Sequence, residues 1–345
     1  MNLPSRPLRT ALSILFAFLM LTVPEPSRGQ SASFKGLVFG DAYWVAGSDD
    51  SALENRNGFW FRRIYLTFDF AISETWTARL RTEMNSKGDF SSKAKLEPFA
   101  KDVYVRWKGG RHQLTFGLSG TPTWSVIEGF WGYRSVEKTL LDLQKMGASR
   151  DIGVAAKGSL DAEKKIRYNV MLANGNGASS ETNKGKKGLL ALTFYPTPSV
   201  IFEVYGDYDD RPGRSDRVTV QGFVGVKGTS GRLGIQYAYQ RRDVAGGGSV
   251  NLNALSVFGA KPLSKQVTGF ARFDRVFDPN PDAGKISYVP FADNARSSLA
   301  LVGVDIAAHP QVHFMPNVEA VFFDGADGAA PDPTIMPRLT FFYTF

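Results

Sequence analysis

From Phe34 to the last residue, apolar and polar positions alternate along this chain. In the segment Trp76 to Met84, Trp76, Ala78, Leu80 and Met84 fall on one side and Thr77, Arg79, Arg81 and Glu83 on the other. Leu233, Ile235, Tyr237 and Tyr239 share a face, and so do Ile335, Leu339, Phe341, Tyr343 and Phe345. Successive side chains of a strand point to opposite sides, so a period of two predicts strands with one apolar and one polar face. No segment of comparable length keeps a helical period. The alternation predicts sixteen strands: 34–46, 57–70, 76–85, 99–107, 112–119, 149–159, 165–174, 188–195, 199–210, 217–227, 232–242, 250–261, 265–276, 297–308, 311–323 and 333–345.

The connections between these strands alternate in length. Those after odd strands are long, such as Gly47 to Arg56, Ser86 to Pro98, Gly120 to Ala148 and Phe277 to Arg296. Those after even strands are brief and carry Gly, Pro, Ser or Asp, as in Lys108 to Arg111 or Pro196 to Pro198. A soluble sandwich has no reason to sort its loops by parity. A closed up-and-down antiparallel transmembrane β-barrel does, with short turns on the periplasmic side and long loops outside. Closure also leaves no open sheet edge in lipid, where each unsatisfied backbone group costs several kcal/mol. The expected fold is therefore all-β, a sixteen-stranded barrel in the outer membrane. Pro316 and Pro337 fall inside predicted strands, where they cannot donate a ladder hydrogen bond. They predict bulges or a shifted final strand pair, and leave fourteen or eighteen strands open.

Residues 1–29 read as a secretory signal: Arg6 and Arg9, then an apolar core from Ala11 to Val23, then small residues at Ser27 and Gly29. The rest, 30–345, is expected to be one barrel domain. Losing the signal removes Arg6, Arg9, Arg28 and Glu25 and leaves the mature chain net positive, as the whole chain is at +8. That charge points to anionic partners. The absence of Cys excludes disulfides and thiolate metal or redox sites, and no run of apolar residues is long enough for a membrane helix.

If the apolar face meets lipid, the polar face lines a lumen. The registers place Arg63, Arg79, Arg81, Arg106, Lys157, Arg167, Arg217, Lys227, Arg232, Arg272 and Arg338 inside, with Asp69, Glu83, Asp102, Asp151, Glu203, Asp207, Asp274, Asp305 and Glu319. A charged interior suits a water-filled pore and not a plugged apolar core. Of the cations, Arg63, Arg79, Arg81, Arg106, Arg167, Arg232 and Arg338 are the expected contacts for anions. The longest connection, Gly120 to Ala148, contains Trp124, Glu128, Phe130 and Trp131, followed by a helix-capable stretch from Val136 to Lys145. Connections this long are usually functional. Its aromatics need an apolar resting place, which predicts that it folds inward and narrows the channel, with Arg134, Lys138, Lys145 and Arg150 at the constriction and Glu128 opposing them.

Other chemistries lack their signatures. There are three His, each near a short turn, no G-x-S-x-G elbow and no H-E-x-x-H pair, so neither an enzyme nor a cofactor is expected. Asn174-Gly175-Asn176-Gly177 lacks the Lys-Ser/Thr ending of a phosphate loop. The basic residues are spread along strands rather than gathered in one patch, which argues against nucleic acid. Only Gln30 to Ser33 precede the first strand, too few for an accessory domain of an adhesion or assembly barrel.

Phe61 to Phe70 (Phe-Arg-Arg-Ile-Tyr-Leu-Thr-Phe-Asp-Phe), Ala78 to Glu83, Asp102-Val103-Tyr104-Val105 and above all Arg150-Asp151-Ile152-Gly153-Val154 resemble the phosphate-selective porins O and P. The resemblance implies a sixteen-stranded, homotrimeric outer-membrane channel with an inward third loop. In phosphate-specific members an arginine ladder and a lysine cluster draw anions inward. Arg63, Arg79 and Arg81 match the ladder, whereas the one dense lysine run, Lys184 to Lys187, falls in an outer loop that would face solvent or lipopolysaccharide. Phe345, with Tyr343 and Phe341 on its face, resembles the terminal signal that barrel-assembly machinery reads. The expected function is passive diffusion of small hydrophilic solutes, leaning to anions, with a phosphate-specific pore as the alternative.

Overall fold

The computed structural model describes residues 31–325 and 330–345; the expected signal segment lies outside them. Sixteen strands form: β1 Ser31–Trp44, β2 Asn57–Ala71, β3 Trp76–Met84, β4 Phe99–Gly109, β5 His112–Gly120, β6 Arg150–Ser159, β7 Ile166–Ala173, β8 Lys187–Thr197, β9 Val200–Asp209, β10 Arg217–Gly228, β11 Gly231–Asp243, β12 Ser249–Pro262, β13 Val267–Val276, β14 Ala295–His309, β15 Val312–Gly325 and β16 Thr334–Thr344. Each pairs antiparallel with its neighbour in sequence, and β16 closes on β1 from Leu37↔Thr344 to Tyr43↔Arg338. Every strand expected from the alternation is present, because in a closed sheet with lipid on one side the burial pattern and the pleat share one period.

One rim carries tight turns such as 110–111 and 198–199; the other carries the long connections, here L1 (45–56), L2 (85–98), L3 (121–149) and L7 (277–294) among them. The two prolines sit where the ladders lapse and not at bulges. Pairing of β14 with β15 skips from Gly303↔Asn317 to Ile306↔Phe314, which is where Pro316 lies. The β1–β16 ladder stops at Tyr43↔Arg338, one residue before Pro337.

Bulges fall elsewhere and change which side chains face inward. Between β1 and β2 the register steps from Phe39↔Arg63 to Gly40↔Phe61, so Arg62 is an extra residue and both Arg62 and Arg63 turn inward. Between β3 and β4 it steps from Arg81↔Asp102 to Thr82↔Ala100, and the extra residue, Lys101, reaches Glu83 at 2.8 Å. A bulged strand opposes two residues to one and re-aims a side chain.

The interior is not polar throughout. On β12, Leu252, Ala254 and Phe258 are buried inside, while Asn251 and Asn253 face outward and accept hydrogen bonds from the Tyr239 and Tyr237 hydroxyls, both at 2.8 Å. Inward Leu189, Ala191, Phe223, Ala238, Phe270 and Val276 extend this apolar surface. It corrects the expectation of a charged interior without an apolar core: these strands bury an apolar inner face because L3 covers it.

Candidate functional site: a basic wall facing the third long connection

L3 lies inside the cylinder. Trp124, Ile127, Phe130 and Trp131 recur at helical spacing and form the buried stripe of a helix, α1 (Trp124–Trp131). Gly132, at φ 76°, ends it in the left-handed conformation with its N–H on the Glu128 carbonyl. The stretch expected to be helical, Val136 to Lys145, yields a single turn, α2 (Leu140–Leu143). Phe130 meets Phe223 and Trp131 meets Phe258 edge-on, each with ring centroids 5.3 Å apart. Gly225 makes the Phe130 contact possible, since a Cβ there would stand 2.6 Å from the ring.

Polar side chains then fasten L3 around the barrel. Thr123 donates to Glu203 at 2.5 Å and accepts from Gln221 at 2.7 Å. Arg232 donates to the Trp131 carbonyl at 2.8 and 3.2 Å, and Arg272 donates to the Lys138 carbonyl. Gln240 reaches the Met146 carbonyl at 2.5 Å. On the far side Glu137, fully buried, takes an ion pair from Arg62 at 2.7 Å and lies 3.8 Å from Arg338, which itself pairs with Glu319. Burial favours the neutral acid of Glu137, but Arg62, Arg338 and Lys138 outweigh it and hold its carboxyl at about 2. L7 presses on L3 from the long-loop end. Asn280 donates to the Gln144 carbonyl at 2.9 Å, and buried Ala283, Ile286, Tyr288, Val289 and Phe291 join Leu143, Trp60 and Met336 in one apolar cluster.

What stays open beside L3 lies along β3 to β7. A recess there of about 200 Å³ is lined by Arg79, Tyr104, Arg106, Ser119, Arg150, Lys157 and Asn169 on the wall and by Trp124, Ser125 and Glu128 of L3. Arg79 pairs with Asp69 at 2.6 Å; Arg81 and Arg150 share Asp102 at 3.1 and 2.5 Å; Arg63 and Lys101 share Glu83 at 2.7 and 2.8 Å. Arg106 is held by hydroxyls, Thr115 at 3.2 Å and Tyr104 at 2.9 Å, with its guanidinium 4.6 Å from the Tyr104 ring centroid. Arg106 and Lys157 have no carboxylate partner among the described residues. This wall therefore presents more positive charge than its three carboxylates neutralise.

Facing it, L3 offers a near-balanced set. Arg134 bridges Glu128 at 3.0 Å and Asp142 at 3.2 Å. Burial raises the Glu128 carboxyl above its usual range, with Asp142 adding to the effect against Arg134. Burial would also raise Asp142, but Arg134, Lys138, Arg63 and Lys101 bring it below its usual range. The buried Trp124 Nε1 and Ser119 Oγ have no hydrogen-bond partner among the described residues.

Residues 39–129 match the family described as phosphate-selective porin O and P. That stretch runs from within β1 into α1, and the Arg150 to Val154 motif lies beyond it. No curated protein matches the chain in sequence. Solved structures do match in fold. An anion-selective porin from Comamonas acidovorans is 12% identical at a TM-score of 0.70, over 92% of this chain and all of its own. The outer membrane channel DcaP of Acinetobacter baumannii is 12% identical at 0.67, over 94% of this chain and all of its own. OmpF of Salmonella typhi is 10% identical at 0.65, over 92% of this chain and 98% of its own. The chain has the fold of these porin barrels.

Within this barrel the expected site residues fall in different settings. Arg79, Arg81, Arg106 and Arg150 stand on the open wall, with Glu128 and Arg134 opposite. Arg63 is inward but mostly covered, and Arg167 and Arg232 lie toward the short-turn end. Arg338, expected to contact anions, is sealed beneath L3 with no exposed side chain, because Glu137 and Glu319 close over it. Trp124, Trp131 and Lys138 are likewise buried, and Lys145, half-buried, accepts from Arg242 at its carbonyl and lines a separate recess with Arg211 and Arg217. Strict alternation missed Arg62 and Lys101, since each is the extra residue of a bulge. The doublet Arg62-Arg63 after Trp60-Phe61 is the one visible sign. Glu137 and Asp142 carry no signal in the sequence, because nothing in a loop sequence says which carboxylate will be buried against distant guanidiniums.

Proposed function

We propose that this protein is an outer-membrane porin, a passive diffusion channel for small hydrophilic solutes that favours anions. The observation that carries the reading is the wall of β2 to β6, where Arg106 and Lys157 stand unneutralised beside cations paired with Asp69, Asp102 and Glu83. In a narrow water-filled passage with low-dielectric walls, one sign of fixed charge raises the local concentration of the opposite ion. The anion-selective porin among the structural neighbours supports the same assignment. The tight-turn rim faces the periplasm and the long connections face outward, the arrangement that outer-membrane barrels share. Residues 1–29 serve export, Phe345 serves assembly, and the outer loops meet lipopolysaccharide. Three copies associate, a reading supported by the family resemblance and by a trimeric form of OmpT of Vibrio cholerae among the neighbours.

The test is the reversal potential of single channels in a planar bilayer under a sodium chloride gradient. Chloride-favouring potentials are expected; a sodium-favouring potential would refute the reading. Repeating the measurement with phosphate in place of chloride shows whether the preference extends to that anion.

A further inference from the structure

Beneath α1, toward the short-turn rim, lies a second space of about 520 Å³. Its charged lining is Arg167, Lys227 and Arg232, from β7, β10 and β11, and no carboxylate belongs to it. The remainder includes an apolar surface of Val126 and Phe130 from α1 with Tyr195 and Ile201 from the wall. We infer that this space is a binding site for small organic anions with an apolar body, aromatic monocarboxylates foremost, through which such solutes enter or leave the constriction. The inference rests on the anion-favouring reading of the channel and adds to it a class of solute.

The geometry separates this site from the passage above. There, most cations are tied to Asp69, Asp102 or Glu83. Here the three cations make no ion pair among the described residues. Arg167 lies over the Tyr195 ring at 4.6 Å, with its Nε on the Lys164 carbonyl at 3.2 Å. Arg232 binds the Trp131 carbonyl and lies 5.3 Å from the Tyr133 ring centroid. Both guanidiniums are thus held in place with N–H groups to spare, and both Arg167 and Lys227 are exposed to the space. A fully hydrated inorganic anion would use the charges and gain nothing from Val126, Phe130 and Ile201. A carboxylate carrying a ring satisfies the cations with one end and covers the apolar surface with the other, the pattern of a small-molecule site. Burying about 60 Å² of ring on that surface corresponds to about tenfold in affinity over an anion without the ring.

Wild-type channels in a planar bilayer test this, with chloride current recorded while sodium benzoate, sodium acetate or benzyl alcohol is added at the short-turn side. Benzoate is expected to reduce the current at about a tenth of the acetate concentration, and benzyl alcohol to have no effect at either concentration. Lys227→Gln and Arg167→Gln should each weaken the benzoate effect severalfold, and Val126→Ser should bring benzoate to the potency of acetate. Equal potency of benzoate and acetate on a channel whose reversal potential favours chloride would overturn the site and leave the anion reading intact. A reversal potential favouring sodium would overturn both.

Discussion

Lys138 shows how far a side chain's chemistry departs from what its type suggests. It was expected at the constriction as a cation. In the structure it is buried within L3, its ammonium 5.9 Å from the Tyr288 ring centroid, and burial lowers it to about 7 although Asp142 and Glu137 favour the charged form. Arg134 and Lys145 add to the lowering. The unfolded chain titrates this lysine near about 10.4, so between those limits it binds more protons than the folded one. Stability from this residue is therefore lowest below about 7 and rises with pH towards the ordinary lysine value. In the channel the same proton adds a positive charge beside the passage. Reversal potentials at pH 6 should favour chloride more than at pH 8, and Lys138→Met should abolish the difference; a pH-independent wild type would contradict the assignment.

L3 is an element that no local propensity stabilises. Its helices are short, its N-cap side chains do not bond back to the helix backbone, and its order comes from the apolar inner face of β8 to β13 and from the ion pairs around Glu137. Removing one partner of a buried ion pair leaves the others uncompensated, at a typical cost of about 3–5 kcal/mol. Glu137→Gln leaves the Arg62 and Arg338 guanidiniums facing each other without their shared carboxylate. The barrel ladder does not depend on that carboxylate, so the sixteen strands should persist by circular dichroism while L3 loosens. Larger and noisier single-channel conductance is expected, and a conductance equal to wild type would show that L3 is held by its aromatic contacts alone. The aromatics of L3 signalled in the sequence that it needed an apolar partner. Which strands supply that partner was hidden, because Leu252, Ala254 and Phe258 have the same period of two as a lipid-facing row.

For the barrel as a whole, selectivity should be a field effect rather than a single contact. The cations of the wall are spread over β2 to β6, and their influence reaches across the passage only as far as salt allows, about 10 Å at 0.1 M and about 3 Å at 1 M. The chloride preference should accordingly weaken steeply as ionic strength rises across that range; a preference unchanged at 1 M would instead indicate a dehydrated binding site in the pore. Strand number, order, pairing sense and closure were legible in the chain, since pleat and solvent impose one short period and the connections sort by length. That same rule also identified most of the lumen cations. It failed where the period slips by one residue, at Arg62 and Lys101, and where the inner face is apolar because a loop comes to cover it. Which charges are exposed and which are neutralised depends on side chains brought together from β2, β13, β15, β16 and L3, far apart in sequence. Alternation is a property of neighbours along the chain, and so it is written there; the pairing of Glu137 with Arg62 and Arg338 exists only once the cylinder has closed around L3.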